Sequence, residues 1–412
     1  MTKSFPHSQE YYKMIEIMID RKLLWLWLAC LGIGLSTYVA VAAPGKGLNS
    51  LQNDVQSVEV SNRLMTRFVG QVPDSTCQKL DSVVEALARK RKCRITMKVT
   101  DAQGNSHYSG YDGRQEKAIS DFGQPFEIGS CSKMLTATSI LQLVEEKKIG
   151  LEDRLADLLE NPELLKGIMV TDSADYLGEI QLKNLLNHTS GLPEYFLDDE
   201  DLEVGVHGDS TLRFTPDQLV RMARRLHKPQ FPPGEKFKYT NTNYILLGMI
   251  LEKHSGLPYQ QYIRHNILEK AGMGKTYFPS VQPVSGQAPG HWKGQPSEMP
   301  ATLAWSAGEI ISTLDDMDRF IRAWARGDFY KSQETREMVR TQYFNPMGGG
   351  LSYGLGAINL FSSLGHGGQT FGFQSYMGSL PNGYSFVFGI DDAEVSSWGL
   401  ALNVQGILRK YE

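Results

Sequence analysis

The stretch Ile128–Ala137, IGSCSKMLTA, sets a serine directly behind a glycine and a lysine three residues later, where an apolar helical pattern begins. Residues i and i+3 share one face of a helix, so Lys133 is expected to stand over Ser130. Ser130 is the only serine of the chain with a lysine at that spacing. Two readings compete. Serine is a favoured helix cap, and a cap needs no lysine. A nucleophile needs a base. At a helix start its own backbone N–H is also among the unpaired donors of the first turn, available to a developing oxyanion. The helix is expected to open at Ser130 and run to about Lys147.

A lysine base makes an energetic demand. Near its reference pKa of about 10.4, fewer than about one lysine in a thousand is neutral at pH 7. Burial lowers that value by up to about 3–5 units, so polar partners for a desolvated amine should be encoded elsewhere. The segment FPPGEKFKYTNTNYILLGMILEKHSG places Tyr239-Thr240-Asn241 on a loop after Pro232-Pro233-Gly234, ahead of a helix marked by Tyr244, Leu247, Ile250 and Leu251. The Tyr239 phenol can relay the serine proton to a leaving group. The Asn241 amide can bind a substrate carbonyl and orient the lysine. A second Y-x-N, Tyr343-Phe344-Asn345, lies beside Pro346 with no helix after it and reads as a turn. In LGHGGQTFGFQSYMG, His366-Gly367-Gly368 is expected to precede a strand, its glycines letting a substrate backbone lie close. The other H-x-G, His254-Ser255-Gly256, fits a helix ending with glycine just past it.

With these pieces the chain resembles the serine β-lactamase and D-alanyl-D-alanine peptidase superfamily, in its class C β-lactamase-related branch. The resemblance spans roughly residues 78–410. It rests on the order and spacing of FEIGSCSKMLTATSILQLVEEKKIGLEDRL, LKNLLNHTSGLP, PPGEKFKYTNTNYILLGMILEKHSG, SAGEIISTLDDMDRF, YGLGA and GHGGQTFGF. It implies that Ser130 is the acylated nucleophile, Lys133 its base or proton relay, Tyr239 the second proton handler and Asn241 a ligand for the substrate amide. His366 would take the cationic or hydrogen-bonding position of the third motif, Gly368 would lie against substrate, and Gln369 would lend its backbone N–H, with that of Ser130, to the oxyanion hole. There are departures. Gly367 stands where many relatives have threonine, whose hydroxyl helps hold a substrate carboxylate, and His366 stands where class C β-lactamases usually have lysine. Cys131, inside the motif, reads as a small buried filler.

The expected fold is α+β: an antiparallel sheet flanked by helices, with an inserted, mostly helical lobe at about 151–300. The segment between Cys77 and Cys93 has helical apolar spacing at Leu80, Val83, Val84 and Leu87. CRITMKVT then reads as a strand and DAQGN as a turn. SYGLGAINLF, FQSYMGSLP and YSFVFGIDD read as late strands, and Val395–Lys410 as a closing helix. Sixteen residues of helix would separate the two cysteines by about 24 Å, far beyond the ~7 Å limit between Cα atoms of a disulfide, so free thiols are expected. No C-x-x-C or H-E-x-x-H occurs, and neither metal nor cofactor is expected.

Residues 1–43 contain Leu23–Ala43, an uncharged run behind Arg21-Lys22 that ends in Ala40-Val41-Ala42. Its length suits a membrane anchor and its small-residue ending suits signal-peptide cleavage. Either way the rest of the chain, a lead-in at 44–76 and a catalytic domain at 77–412, is expected to be exported, periplasmic or anchored facing the periplasm. With 42 basic and 46 acidic residues in 412, the net charge of −4 offers no field for nucleic acid. A monomer acting on a small molecule or a peptidoglycan-derived peptide is expected. The expected activity is that of a D-alanyl-D-alanine carboxypeptidase-like peptidase or amidase. The alternatives are a carboxylesterase, a β-lactamase, or a penicillin-binding sensor that does not turn over.

Overall fold

A computed structural model describes residues 67–69, 72–171, 174–196, 211–226, 228–297, 300–341, 344–348 and 350–409. The uncharged run Leu23–Ala43, Cys30 and most of the lead-in lie outside these residues. Among the described residues no helix is long and apolar enough to cross a membrane. Leu64–Pro346 together with Gly350–Glu412 make one compact unit, which carries everything that follows.

Its centre is an antiparallel sheet. Among the described residues, eight of its ten strands are β1 (Arg67–Val69), β2 (Arg94–Thr100), β3 (Ser106–Asp112), β4 (Leu351–Tyr353), β5 (Ile358–Leu360), β6 (Ser363–Gln369), β7 (Gln374–Ser379) and β8 (Ser385–Ile390). They lie in the order β1-β3-β2-β8-β7-β6-β5-β4, so the early hairpin is joined to the late meander where β2 pairs with β8. Ile95, Met97 and Val99 alternate along β2 and are wholly buried, as strand periodicity requires. The β2–β3 turn is the expected one: Asp101 Oδ1 accepts from Asn105 N–H at 2.8 Å. The fold class is therefore the one the sequence indicates.

Helices cover both faces. On one side lie α1 (Asp74–Arg91), which buries Leu80, Val84 and Ala88, and the C-terminal helix Ser397–Leu408. Each such buried aliphatic side chain contributes about 1.5–3 kcal/mol, and a charge at Leu80 would break the face. On the other side lie Leu314–Arg326, capped by Thr313, whose hydroxyl accepts from Asp316 N–H, and the start of α2 (Ser132–Glu145). α2 is buried along almost its whole length because it runs between the sheet and the helical lobe. The lobe centres on α3 (Asn241–Ser255), also buried nearly all round and packed on α2. It ends, as expected, at Gly256 with φ 72°.

Two expectations need correction. α2 starts at Ser132, not Ser130, because Gly129 takes φ +51° and Gly129–Cys131 form a separate 3-10 turn. The His366-Gly367-Gly368 motif lies inside β6 rather than ahead of a strand, because ladder pairing with β7 extends to Gln369. Cys77, Cys93 and Cys131 are buried free thiols.

Candidate active site

The 3-10 turn lifts Ser130 to the edge of α2, half-buried, while Lys133 one turn on has no exposed surface. Ser130 makes no cap of its own helix. Its Oγ lies 2.9 Å from Lys133 Nζ. That amine also donates to Asn241 Oδ1 and to the main-chain oxygen of Ala307, each at 2.7 Å. The two oxygens can only accept, whereas a hydroxyl can also donate. A neutral amine has two N–H groups and one lone pair, so it matches this set when Ser130 O–H points at the lone pair. Burial drives the Lys133 pKa down to about 7, against the upward pull of Glu194 and Cys131. A large share of Lys133 is thus a free base at neutral pH.

Asn241 is the first residue of α3, and Tyr239 and Thr240 form the loop before it. The Glu194 carboxylate fixes the Asn241 amide: Oε2 accepts from Asn241 N–H at 2.6 Å and from Nδ2 at 3.2 Å, which leaves Oδ1 to face the lysine. The amide therefore orients Lys133, and its N–H side is already engaged. Desolvation raises Glu194 to about 7, opposed by N–H donors from Asn241, Phe196 and Tyr195 and by Lys133. The Tyr239 ring neighbours the amine, its centroid 5.0 Å from Lys133 Nζ. Ser130, Asn241 and Tyr239 thus converge on one amine. Glu194 and the Ala307 carbonyl are the members that sequence reasoning missed. Glu194 has only a weak signal, a lone carboxylate between Leu192-Pro193 and Tyr195-Phe196.

The third motif departs further from expectation. His366 is buried, with Nδ1 2.6 Å from Gly367 O and Nε2 2.9 Å from the Tyr353 hydroxyl. The carbonyl can only accept, so Nδ1 carries the proton and Tyr353 donates to Nε2. Burial, reinforced by Lys133, lowers its pKa to about 3, so the ring is a neutral hydrogen-bonding group rather than a cation. Gly368 serves the fold: a Cβ there would sit 2.0 Å from Ile128 O and 2.4 Å from Ser375 Oγ, so the missing side chain seats the Gly129–Cys131 turn on β6. Ser375 Oγ donates to that same Ile128 O at 2.7 Å, and Cys131 Sγ donates to His366 O at 3.1 Å. A Cβ on Gly367 would face Trp398 of the C-terminal helix at 3.3 Å, on the opposite side of the sheet.

The backbone of Gln369 lies against Gly129, where a Cβ would meet Gln369 N and O at 2.7 Å. Thr370 N–H donates to Phe373 O, so antiparallel alternation turns the Gln369 N–H out of the β6–β7 ladder. It falls beyond the last β5–β6 pair, at the edge beside Ser130. That is where an oxyanion-hole donor is needed.

Other candidates do not assemble. Asn345 lies in the strand Phe344–Gly348 rather than in a turn, and Tyr343 is outside the described residues. His107, Asp81 and Ser109 meet beneath α1, but His107 and Ser109 are buried and both bond the same Asp81 Oδ1, which makes a structural knot. Among the described residues no three His, Cys, Asp or Glu side chains group as metal ligands.

Known proteins share this architecture. The family model Beta-lactamase matches residues 84–395. The Bacillus subtilis protein PbpX is 27% identical over 356 residues, covering 78% of this chain and 82% of its own. The structure of a D-stereospecific amidohydrolase from Streptomyces superposes with TM-score 0.67 at 25% identity, over 81% of this chain and 97% of that one. The octameric penicillin-binding protein homologue from Pyrococcus abyssi gives TM-score 0.68 at 26% identity, over 82% and 78%. The chain belongs to the Beta-lactamase family of serine hydrolases.

Proposed function

We propose that this serine hydrolase cleaves amide bonds of D-configured amino-acid derivatives, among them peptides related to peptidoglycan stems, through a Ser130 acyl-enzyme. The observation that carries the reading is the Lys133 amine shared by Ser130, Asn241 and Ala307, with its pKa lowered to about 7. Lys133 takes the Ser130 proton as Oγ bonds to the substrate carbonyl carbon, and the oxyanion is held by the N–H groups of Ser130 and Gln369. Tyr239 gives its proton to the leaving nitrogen and recovers one from Lys133. Water then attacks the acyl carbon while giving a proton to neutral Lys133, and that proton passes to Ser130 Oγ as the ester C–O bond breaks and the acid leaves. The D-stereospecific amidohydrolase among the structural relatives supports the D-configured substrate class. Export through residues 23–43 would place the enzyme beside such peptides.

One observation favours a second reading. His366 is neutral and both of its ring nitrogens are engaged within the protein, so it does not supply a cation for a substrate carboxylate. That favours amides and esters without a terminal carboxylate over D-alanyl-D-alanine ends. The test is intact-mass spectrometry of residues 44–412 with a fluorescent penicillin, alongside hydrolysis of a D-amino-acid amide, a D-alanyl-D-alanine peptide and a nitrophenyl ester. A Ser130 adduct with turnover of the D-amide is expected. Ester hydrolysis alone would make the protein an esterase, and an adduct that persists for hours would make it a sensor.

A further inference from the structure

His188 sits at the turn after Leu182–Leu186 with φ +58°, in the left-handed region that asparagine, aspartate and histidine tolerate best. It has no exposed surface. Three of its groups hold the chain that carries Tyr239. The His188 carbonyl accepts from Lys238 N–H at 3.0 Å, and Nδ1 accepts from Thr240 N–H at 3.2 Å. Between these two bonds the imidazole lies under the Tyr239 ring, centroids 4.2 Å apart and tilted by 32°.

The tautomer is fixed as well. Asn243 Oδ1 accepts from Ser190 at 2.6 Å, which turns Nδ2 toward His188 Nδ1 at 3.1 Å. Nδ1 thus faces two donors and must be unprotonated, so the proton is on Nε2. Burial and the nearby Lys133 and His366 hold the ring neutral. A neutral ring can lie against Tyr239, whose ring also neighbours Lys133 Nζ, without adding a second positive charge.

We propose that His188 is the positioning residue for Tyr239, clamping residues 238–240 and setting the phenol at the height where it hands a proton to the leaving group. This rests on the proton role given to Tyr239 above. The test exploits leaving groups. His188→Asn keeps the left-handed turn and an acceptor for Thr240 N–H and removes the ring. An amide needs its nitrogen protonated, whereas nitrophenolate leaves unaided. Amide kcat should therefore fall about a hundredfold with KM little changed, while nitrophenyl ester acylation stays within about threefold of the parent. In a Tyr239→Phe background the same change should have almost no further effect.

Equal losses on both substrates, or an undiminished effect in the Tyr239→Phe background, would overturn the proposal. A crystal structure of His188→Asn gives a reading that needs no turnover: a displaced Tyr239 ring supports the clamp, and an unmoved ring rejects it. If the parent acylates with neither substrate, the hydrolase reading fails while this structural outcome still decides the clamp. Should His188→Asn not fold, Asn243→Ser removes one of the donors to Nδ1 and carries the same comparisons with a smaller shift.

Discussion

Replacing Glu194 by glutamine should move the pH dependence of acylation toward acid. In the proposed mechanism Lys133 accepts the Ser130 proton only when neutral, and burial lowers its pKa to about 7. The rate should therefore rise with pH through that value and fall about tenfold per unit below it. The Glu194 charge opposes this, because it favours the protonated amine. It acts through Asn241, with 2.7 Å on the lysine side and 3.2 Å on the carboxylate side. A separation of roughly 7 Å at an effective dielectric of about 20 is worth about 2 kcal/mol, or between about one and two pKa units. Glu194 itself titrates near 7, so it is only about half ionised in the relevant range. The expected displacement is therefore about half a unit to one unit. The two groups titrate as a pair, so the midpoints belong to the pair. Glutamine keeps one acceptor for the Asn241 N–H groups, but its NH2 replaces the Oε1 that accepts from Tyr195 N–H at 2.8 Å and Phe196 N–H at 3.0 Å, so the comparison is made with a variant whose Tm shows the loop intact. Measuring kcat/KM for a nitrophenyl ester from pH 5 to 9 decides it. A parent profile flat across that range, or a variant limb that shifts toward alkali, would refute the reasoning.

Other variants probe the remaining parts. Ser130→Ala should abolish covalent labelling and turnover with little change in Tm, since the side chain is half-buried and caps no helix; residual parent-like turnover would remove Ser130 from the chemistry. Gly129→Ala forces a Cβ to within 2.7 Å of Gln369 N and O at a left-handed φ, so kcat should fall about 10²–10³-fold as the oxyanion donors part, and a loss under threefold would argue against that hole. Gly367→Thr, which on the family pattern should help bind a carboxylate, aims instead at Trp398; it should destabilise by about 1–3 kcal/mol with no gain on D-alanyl substrates, and a gain would reinstate the carboxylate explanation. Burial raises the Cys77 thiol to about 11 and the Cys93 and Cys131 thiols to about 12, so none of the three should react with a disulfide reagent at pH 8 before unfolding.

The parts legible in the sequence are those set by short-range periodicity. Ser130 and Lys133 meet because three residues make one helical turn, and the alternation of Ile95, Met97 and Val99 announces the central strand. The helix starts two residues later than its apolar pattern indicates for a local reason, the positive φ of Gly129, which a glycine permits but does not require. What stayed hidden depends on phase and on distant atoms. Whether Gly367 faces substrate or Trp398 turns on the phase of β6, and a shift of one residue reverses every side chain. The third motif has histidine where lysine is usual, and sequence leaves open whether it is charged. Its neutrality comes from nearly complete burial and from the nearby amine of Lys133, with the Tyr353 hydroxyl on β4 donating to Nε2, and it holds against the upward pull of the Gly367 carbonyl. The base and the neutral histidine therefore share one cause. A pocket dry enough to free Lys133 of its proton also strips the proton from His366, so a cationic carboxylate clamp at 366 is hard to combine with this lysine base. A substitution that lets water reach His366 should restore some positive charge there and, by the same wetting, raise the Lys133 pKa. Any gain in carboxylate binding should then come with an acylation limb displaced toward higher pH, and carboxylate affinity gained with no such displacement would separate the two effects.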